Sequence, residues 1–293
     1  YNWTKDNPQM GYYIDQDINS STSFHDYKTL INRLIPGDYL LIDKNNDFTE
    51  QQNLLIKNLA EDKGAHIFYL FDISSFQIEE KMKDFITKIG PFHLIKLRPV
   101  RIKKGINQIN KRIFDYLFAL LFISFIYWWV YLIVAIVLKL NSKGPIIFKQ
   151  ERVGLNGDTF TCYKFRTMHH KPSRDDIITS DNDNRIFAFG SFLRKTNIDE
   201  FPQFINIIKG DMSVVGPRPH MLSEDKILSE KLIKYKLRYW TRPGITGLAA
   251  IYGYRGGTNN MDLMQKRIDY DIRYIETWSF LLDIKICVWT SLE

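Results

Sequence analysis

YLFALLFISFIYWWVYLIVAIVL, residues 116–138, runs for 23 positions between Asp115 and Lys139 without a charge, and Ser124 is its only clearly polar residue besides the tyrosines. As a straight helix it would be roughly 34 Å long, enough for a hydrocarbon core of about 30 Å. A helix apolar on every face has no place on a soluble surface. The stretch therefore predicts a membrane-inserted helix. Lys103, Lys104, Lys111 and Arg112 precede it, and Lys139, Lys143 and Lys149 follow. Basic residues mark the cytoplasmic flank, and here both flanks carry them. A re-entrant segment, with both ends on one side, would answer that pattern. Re-entry needs a break whose freed backbone groups find partners. Ser124 could supply one, but no Pro or Gly lies between 113 and 143 to force a bend. Crossing and re-entry both stay open on the sequence.

Around this segment the chain of 293 residues is 45% hydrophobic and 25% charged, which excludes a disordered chain and a polytopic membrane protein. Cys162 and Cys287 are too few for a disulfide framework and have no metal-ligand spacing. The first residue is Tyr1, so the chain is expected to start inside a longer protein. Residues 1–100 hold 11 Lys/Arg against 14 Asp/Glu; residues 101–293 hold 29 against 19. The later part is the one built to meet anions: phosphates, anionic lipid heads or nucleic acid.

Upstream, DYLLID (38–43) reads as a strand, EQQNLLIKNLAEDKG (50–64) as an amphipathic helix ended by Gly64, and AHIFYLFDI (65–73) as a buried strand. This is the βαβ rhythm of a parallel sheet, without a Gly-rich phosphate loop. EEKMKDFITKIG (79–90) is a further expected helix, and LRPVRIKKG (97–105) a basic linker. Downstream, 141–168 has the turns and alternation of a hairpin. Helices are expected at about 198–209, stopping at Gly210, then at 222–240 and 261–277. The expected organisation is residues 1–100 as a partial Rossmann-like α/β domain, 101–140 as linker and membrane-inserted helix, and 141–293 as an α+β, membrane-associated catalytic domain.

In LRKTNIDEFPQF (193–204) two carboxylates, Asp199 and Glu200, stand side by side behind Arg194 and Lys195. Neighbouring acids on a helix point about 100° apart and cannot act as a matched pair across one substrate. Locally they read as capping residues: Thr196 and Asn197 are good N-caps, and Asn197 with Glu200 has capping-box spacing. The surroundings add another reading. Arg194 precedes this helix, Arg218 follows it between two prolines in GPRP (216–219), and Lys164 and Arg166 end the hairpin in KFR (164–166). Together these cations could form an anion site beside the acids. Acids next to phosphate serve as Mg²⁺ ligands or as nucleophiles forming an acyl phosphate.

KRIFDYLFALL (111–121), SKGPIIFKQERVG (142–154), YKFRTM (163–168), FLRKTNIDEFPQF (192–204), KGDMSVVGPRPH (209–220) and RPGITGLAAIYGYRG (242–256), in this order and spacing, resemble the bacterial sugar transferases, the monotopic polyprenyl-phosphate phosphoglycosyl transferases. The resemblance covers about residues 109–289, and residues 11–100 resemble more faintly the Rossmann-like part of the large members. It implies that Asp199 is the nucleophile attacking the β-phosphate of a UDP-sugar, expelling UMP, and that undecaprenyl phosphate then takes the sugar phosphate from the carboxylate. It implies Glu200 as a Mg²⁺ ligand, with Arg194 and Arg218 at phosphate-binding positions and Lys164 and Arg166 in a matching basic motif. It further implies a bacterial inner membrane protein with its catalytic part on the cytoplasmic face, compatible with a homodimer. Two departures stand out. Relatives usually carry a Pro midway along the membrane helix, where this chain reads IYWWVYLI, and they commonly have Gln where this chain has Ala250.

Arg255 in GYRGG is a further candidate for the nucleotide phosphates. His169 and His170, a vicinal pair in a polar loop, read as solvated, and Asp211 reads as serving the turn after the helix. Aromatic residues along 270–291 fit either the core or a bilayer interface. A non-catalytic membrane-anchored scaffold would not need the acids and arginines together. A nucleic-acid binder would explain the charge but not the uncharged 23-residue run.

Overall fold

The computed structural model of the chain describes residues 24–43, 48–71, 85–89, 92–98, 100–103, 105–141, 144–169, 185–255 and 260–292. After helix α1 (Phe24–Arg33), strand β1 (Tyr39–Asp43), helix α2 (Glu50–Asp62) and strand β2 (His66–Phe71) form the expected βαβ unit, with β1 and β2 parallel. Thr49 and Gln52 close a capping box that starts α2. Ile31, Leu40, Ile42, Ile56, Ala60 and Ile67 make this region's own core.

The helix expected across 79–90 is not what the described part of that segment forms. Ile86–Ile89 is strand β3, paired antiparallel with β4 (Phe92–Lys96), and β4 pairs antiparallel with β2. Ile86, Thr87 and Ile89 are β-branched and stiff at χ1, so a facing strand overrides their helical spacing. Residues 79–84 of that expectation lie outside the described residues. The sheet order β1-β2-β4-β3 holds one parallel pair and is mixed, so the described residues do not form the doubly wound sheet of a Rossmann domain.

A 3₁₀ turn (Arg101–Lys103) leads into α3, Gly105–Asn141, a 37-residue helix long and apolar enough to cross a membrane. Only 11% of its most apolar window is covered by the rest of the chain. The missing Pro or Gly is replaced by another device. Ile123–Tyr127 is a π turn, a known site of helix bends. The Trp129 indole donates to the Phe125 carbonyl at 2.9 Å, so a tryptophan, rather than Ser124, serves the backbone there.

The basic flank also differs from its sequence reading. Lys111 is buried, its ammonium 2.8 Å from Asp283 Oδ2, and Arg112 donates to the carbonyls of Met212 and Ile207. Asp115 accepts from Ser213 Oγ and from the Val214 amide, each at 2.9 Å. These charges fasten the start of α3 to the protein rather than to lipid heads. The far half of α3 is fastened too: Val130, Val134 and Leu138 pack with Phe165 and Leu193. One fold therefore holds both ends of the helix.

That fold begins with an antiparallel hairpin, β5 (Ile147–Val153) and β6 (Thr159–Phe165), as expected. Helix α4 (Ala188–Lys195), a 3₁₀ turn (Ile198–Glu200) and α5 (Gln203–Lys209) follow, and Gly210 ends α5 at φ +97°. Asn206 stitches α5 to the hairpin, accepting from the Tyr163 amide and donating to the Thr161 carbonyl and to Asp211. β7 (Ser213–Val215) pairs in parallel with β8 (Gly244–Thr246). The helix expected at 222–240 is broken into α6 (Leu222–Lys231) and a 3₁₀ segment, Tyr235–Trp240, which turns Tyr235, Leu237, Tyr239 and Trp240 into the core. Short α7 (Leu248–Ile251), α8 (Met261–Thr277) and α9 (Phe280–Leu292) complete the chain. Along 270–291, Tyr274, Trp278 and Ile286 are core, whereas Phe280, Val288 and Trp289 are exposed.

Candidate active site

Asp199 and Glu200 are not the first turn of a regular helix. α4 ends at Lys195, and the Thr196 hydroxyl donates back to the Phe192 carbonyl at 2.9 Å. Asn197 is left-handed (φ 55°) and makes no side-chain cap, so the capping box expected of Asn197 and Glu200 does not form. The acids occupy the 3₁₀ turn Ile198–Glu200, and Pro202 then opens α5. With about three residues per turn, neighbours in such a turn face roughly 120° apart. Both are buried, at 8% exposure each.

Their surroundings differ. Glu200 Oε1 lies 2.7 Å from Lys164 Nζ and 2.8 Å from Arg218 Nη2, and Oε2 is 3.3 Å from Arg218 Nη1. Burial by itself would raise the Glu200 carboxyl; the charges and hydrogen bonds of Arg218 and Lys164 overturn this and hold it well below the usual carboxylate range. Glu200 in turn keeps the Arg218 guanidinium firmly protonated. Asp199 accepts no hydrogen bond from the described residues. Burial pushes its carboxyl up and the Glu200 charge adds to this, against the pull of Lys164, Arg194 and Arg218. One acid is paired with two cations; the other is buried, faces their field and has no hydrogen-bond partner among the described residues.

Arg194 reaches this field from the last turn of α4, with Nε donating to Thr167 Oγ1 at 2.8 Å. The helix comes that close to the strand end because residue 190 is glycine: a Cβ there would stand 2.1 Å from the Thr167 carbonyl oxygen. The structure thus brings Lys164, Arg194 and Arg218 around the acids. Arg166 turns elsewhere, donating to the Pro145 carbonyl at 2.8 Å, and burial lowers its guanidinium. Arg255 is exposed in the turn after α7 and makes no ion pair with either acid. Ala250 is half-buried on α7. Asp211 accepts from Asn206 beside the α5 terminus, as a turn residue would.

A layer missed in the sequence reading lies behind Arg218. Arg238 donates to the Arg218 carbonyl and to Asp271 Oδ2 at 3.0 Å, and Arg152 donates to the Pro219 carbonyl at 2.6 Å. These two arginines hold the backbone of the 216–219 loop. His220 Nδ1 lies 2.6 Å from Tyr235 Oη and 2.7 Å from Arg238, and burial, with the Arg238 charge, keeps the imidazole neutral. The Tyr235 and Tyr239 hydroxyls both donate to Asp225. The only sequence signal was the spacing of Tyr235 and Arg238, three apart, which share a face once the segment is 3₁₀.

Among the described residues no three His, Cys, Asp or Glu side chains converge as a metal cage. The donors present are two hard carboxylates on adjacent residues. That set suits Mg²⁺, which commonly takes one or two carboxylates and completes its shell with water and substrate phosphate.

The sequence profile of the bacterial sugar transferase family matches residues 106–293. The chain belongs to that family. Among the bacterial sugar transferases it resembles, the UDP-glucose:undecaprenyl-phosphate glucose-1-phosphate transferase of Caulobacter vibrioides is 41% identical over 213 residues, covering 72% of this chain and 79% of the relative. A protein of the same description from Klebsiella pneumoniae is 38% identical over 240 residues, 80% of this chain and 50% of its own length. The Escherichia coli K12 counterpart is 42% identical over 184 residues, 62% and 39% respectively. The chain thus spans half or less of the Klebsiella and E. coli sugar transferases and most of the Caulobacter one.

Proposed function

We propose that this chain transfers a sugar 1-phosphate from a UDP-sugar to undecaprenyl phosphate in two displacements at phosphorus, with Asp199 as the nucleophile. An Asp199 oxygen attacks the β-phosphorus; the bond to the bridging oxygen breaks and UMP leaves with that electron pair. A phosphate oxygen of the lipid then attacks the acyl phosphate, the Asp199–phosphorus bond breaks, and the carboxylate is restored. Neither step needs a redox partner. The observation that carries this reading is the difference between the two acids: Asp199 alone has no hydrogen-bond donor among the described residues, so its lone pairs are available.

The cations do the remaining work. Lys164, Arg194 and Arg218 offset the repulsion between a carboxylate nucleophile and a diphosphate, and stabilise charge developing on the phosphoryl oxygens. Glu200 orients Lys164 and Arg218. Glu200 would also be the residue to hold Mg²⁺, which supplies Lewis-acid polarisation of the phosphate when bound. Arg166 and Arg255 enter only as more distant candidates for substrate phosphate. The Caulobacter, Klebsiella and E. coli relatives are all described by UDP-glucose, which makes it the first donor to test.

In the same reading α3 dips into the inner membrane and returns, with the catalytic part on the cytoplasmic face. Both ends of α3 pack on one polar fold, which supports this, and the π turn offers the bend. Incubation with UDP-glucose and Mg²⁺ without lipid acceptor should add the mass of a hexose phosphate to the peptide carrying Asp199, and Asp199→Asn should show neither adduct nor UMP release. Continued turnover by that variant would overturn the assignment. For topology, Gln108→Cys and Asn141→Cys should label from the same face of a sealed vesicle; labelling from opposite faces would exclude re-entry.

A further inference from the structure

A second cationic cavity lies away from the acids, between the mixed sheet and the 3₁₀ segment Tyr235–Trp240. Its volume is about 150 Å³. One water needs roughly 10–15 Å³ of such space, so a ligand of several non-hydrogen atoms fits. Tyr39 and His66, the first residues of β1 and β2, line it, so it opens at the amino ends of the parallel pair. That is the opposite end from the carboxyl-end crevice where parallel α/β sheets usually take ligands.

Three cations, Lys96, Arg98 and Lys103, line the cavity against one carboxylate, Glu61. Glu61 has its own cations, Arg98 Nε at 2.7 Å from Oε1 and Lys234 Nζ at 3.6 Å from Oε2, although Oε2 accepts no hydrogen bond from the described residues, and Arg98 also bridges to Glu276 of α8. Lys103 is different. Its ammonium lies 3.0 Å from His66 Nε2, and it forms no ion pair with a carboxylate among the described residues. The imidazole is fixed between two rings, stacked on Trp240 at 4.0 Å and on Tyr39 at 5.2 Å. Burial, with Lys103 and Lys96 adding to it, brings His66 down to about 3, so the ring is a neutral acceptor and contributes no positive charge. Burial likewise draws Lys103 down to about 8. A half-buried ammonium paired only to a neutral ring, with a second lysine nearby, is a charge lacking its counterion.

We infer that this cavity is a binding site for the phosphoryl group of a small soluble ligand, held by Lys103 with Lys96 beside it. The phosphoryl oxygens would accept from the Lys103 ammonium, supplying the missing counter-charge. Soluble phosphate is favoured over a lipid head because Lys103 precedes α3, whose first residue, Gly105, is already about 16 Å back along the helix from the start of the uncharged run at Tyr116. The walls come from both sides of the molecule: the Trp240 indole donates to the Gly64 carbonyl at 2.7 Å, and Arg98 joins α2 to α8. An occupant would therefore brace the sheet against the catalytic part.

The test is lysine footprinting of the full chain in phosphatidylcholine nanodiscs, acylating at pH 8 and reading each lysine by peptide mass spectrometry. Inorganic phosphate at ten times its Kd should slow acylation of Lys103 about tenfold, while exposed Lys28 labels at an unchanged rate. A Lys103 rate indifferent to phosphate across the titration would overturn the proposal. So would protection that appears only when phosphatidylglycerol replaces phosphatidylcholine, since that assigns the phosphoryl group to lipid. Neither outcome bears on Asp199.

Discussion

Arg218 belongs to two clusters of charge. Its guanidinium joins Lys164 on Glu200, beside Asp199, which accepts no hydrogen bond from the described residues; its carbonyl is held by Arg238, which in turn is held by Asp271. Both clusters set arginine against buried carboxylates, but the Arg218 side chain is 44% exposed in the front one and Arg238 is buried in the rear one. In the rear cluster the acids are met: Asp271 by Arg238, Asp225 by two tyrosine hydroxyls. In the front one an acid is left over. A network whose acids are all met fixes positions, even with Arg238 Nε and His220 Nε2 left without a hydrogen-bond partner among the described residues, because removing a cation leaves a buried carboxylate unpaired. An open one keeps a lone pair for chemistry and gives up stability for it.

The comparison can be broken most severely at the spare acid. Asp199→Asn keeps the shape and removes the charge of the proposed nucleophile, and UMP release should fall by at least on the order of 10⁴-fold in a steady-state assay. The rear cluster should respond in stability instead. Arg238→Met leaves buried Asp271 without its hydrogen-bonded cation, with only the more distant charge of Arg267, and should cost about 3–5 kcal/mol in denaturant unfolding, much of it recovered by adding Asp271→Leu. Lys164→Met leaves Glu200 with Arg218 alone and should lower kcat/KM by about 10²–10³-fold with little loss of stability. The smallest effect is the sharpest contrast. Burial raises the folded Asp199 carboxyl above its unfolded value of about 3.9. Its ionisation therefore lowers stability as pH rises through the folded value, and that cost is present at neutral pH. Asp199→Asn should raise Tm at pH 7, with the gain closing as pH falls below 4. Glu200, shifted the other way, stabilises above its unfolded value and loses that contribution on acidification, so Glu200→Gln should lower Tm at pH 7.

Where a residue's chemistry and its neighbours in sequence agreed, the sequence was legible. The βαβ unit, the hairpin at 147–165, the Gly210 stop and α8 follow from period, turn residues and caps. Where long-range partners decide, it was not. ITKI pairs with FHLIK and becomes a strand, and Asn197 turns left-handed, leaving Glu200 to distant lysine and arginine. Lys111 and Arg112 looked like membrane flanks because nothing nearby in sequence announces Asp283 or the α5 carbonyls. The three cations now around the acids were legible as a cluster of types; that Arg166 faces Pro145 instead was not. The layer of Arg238, Arg152 and Asp271 is assembled from segments far apart in the chain and leaves no local pattern.

The π turn of α3 makes that helix a component with a phase. Lys111, Asp115 and Ala119 face the protein before it, and Val130, Val134 and Leu138 after it. Were 123–127 to relax to α-helix at unchanged length, the one residue that the π turn absorbs would rotate the far half by up to about 100°, swinging Leu138 out of its place against Phe165. Swapping one lipid-facing leucine for another apolar residue would leave that phase untouched. Evolution and engineers alike are thus free to rewrite the greasy surface of this segment, and the one letter they could drop lies at 123–127, where the wide turn would vanish with it.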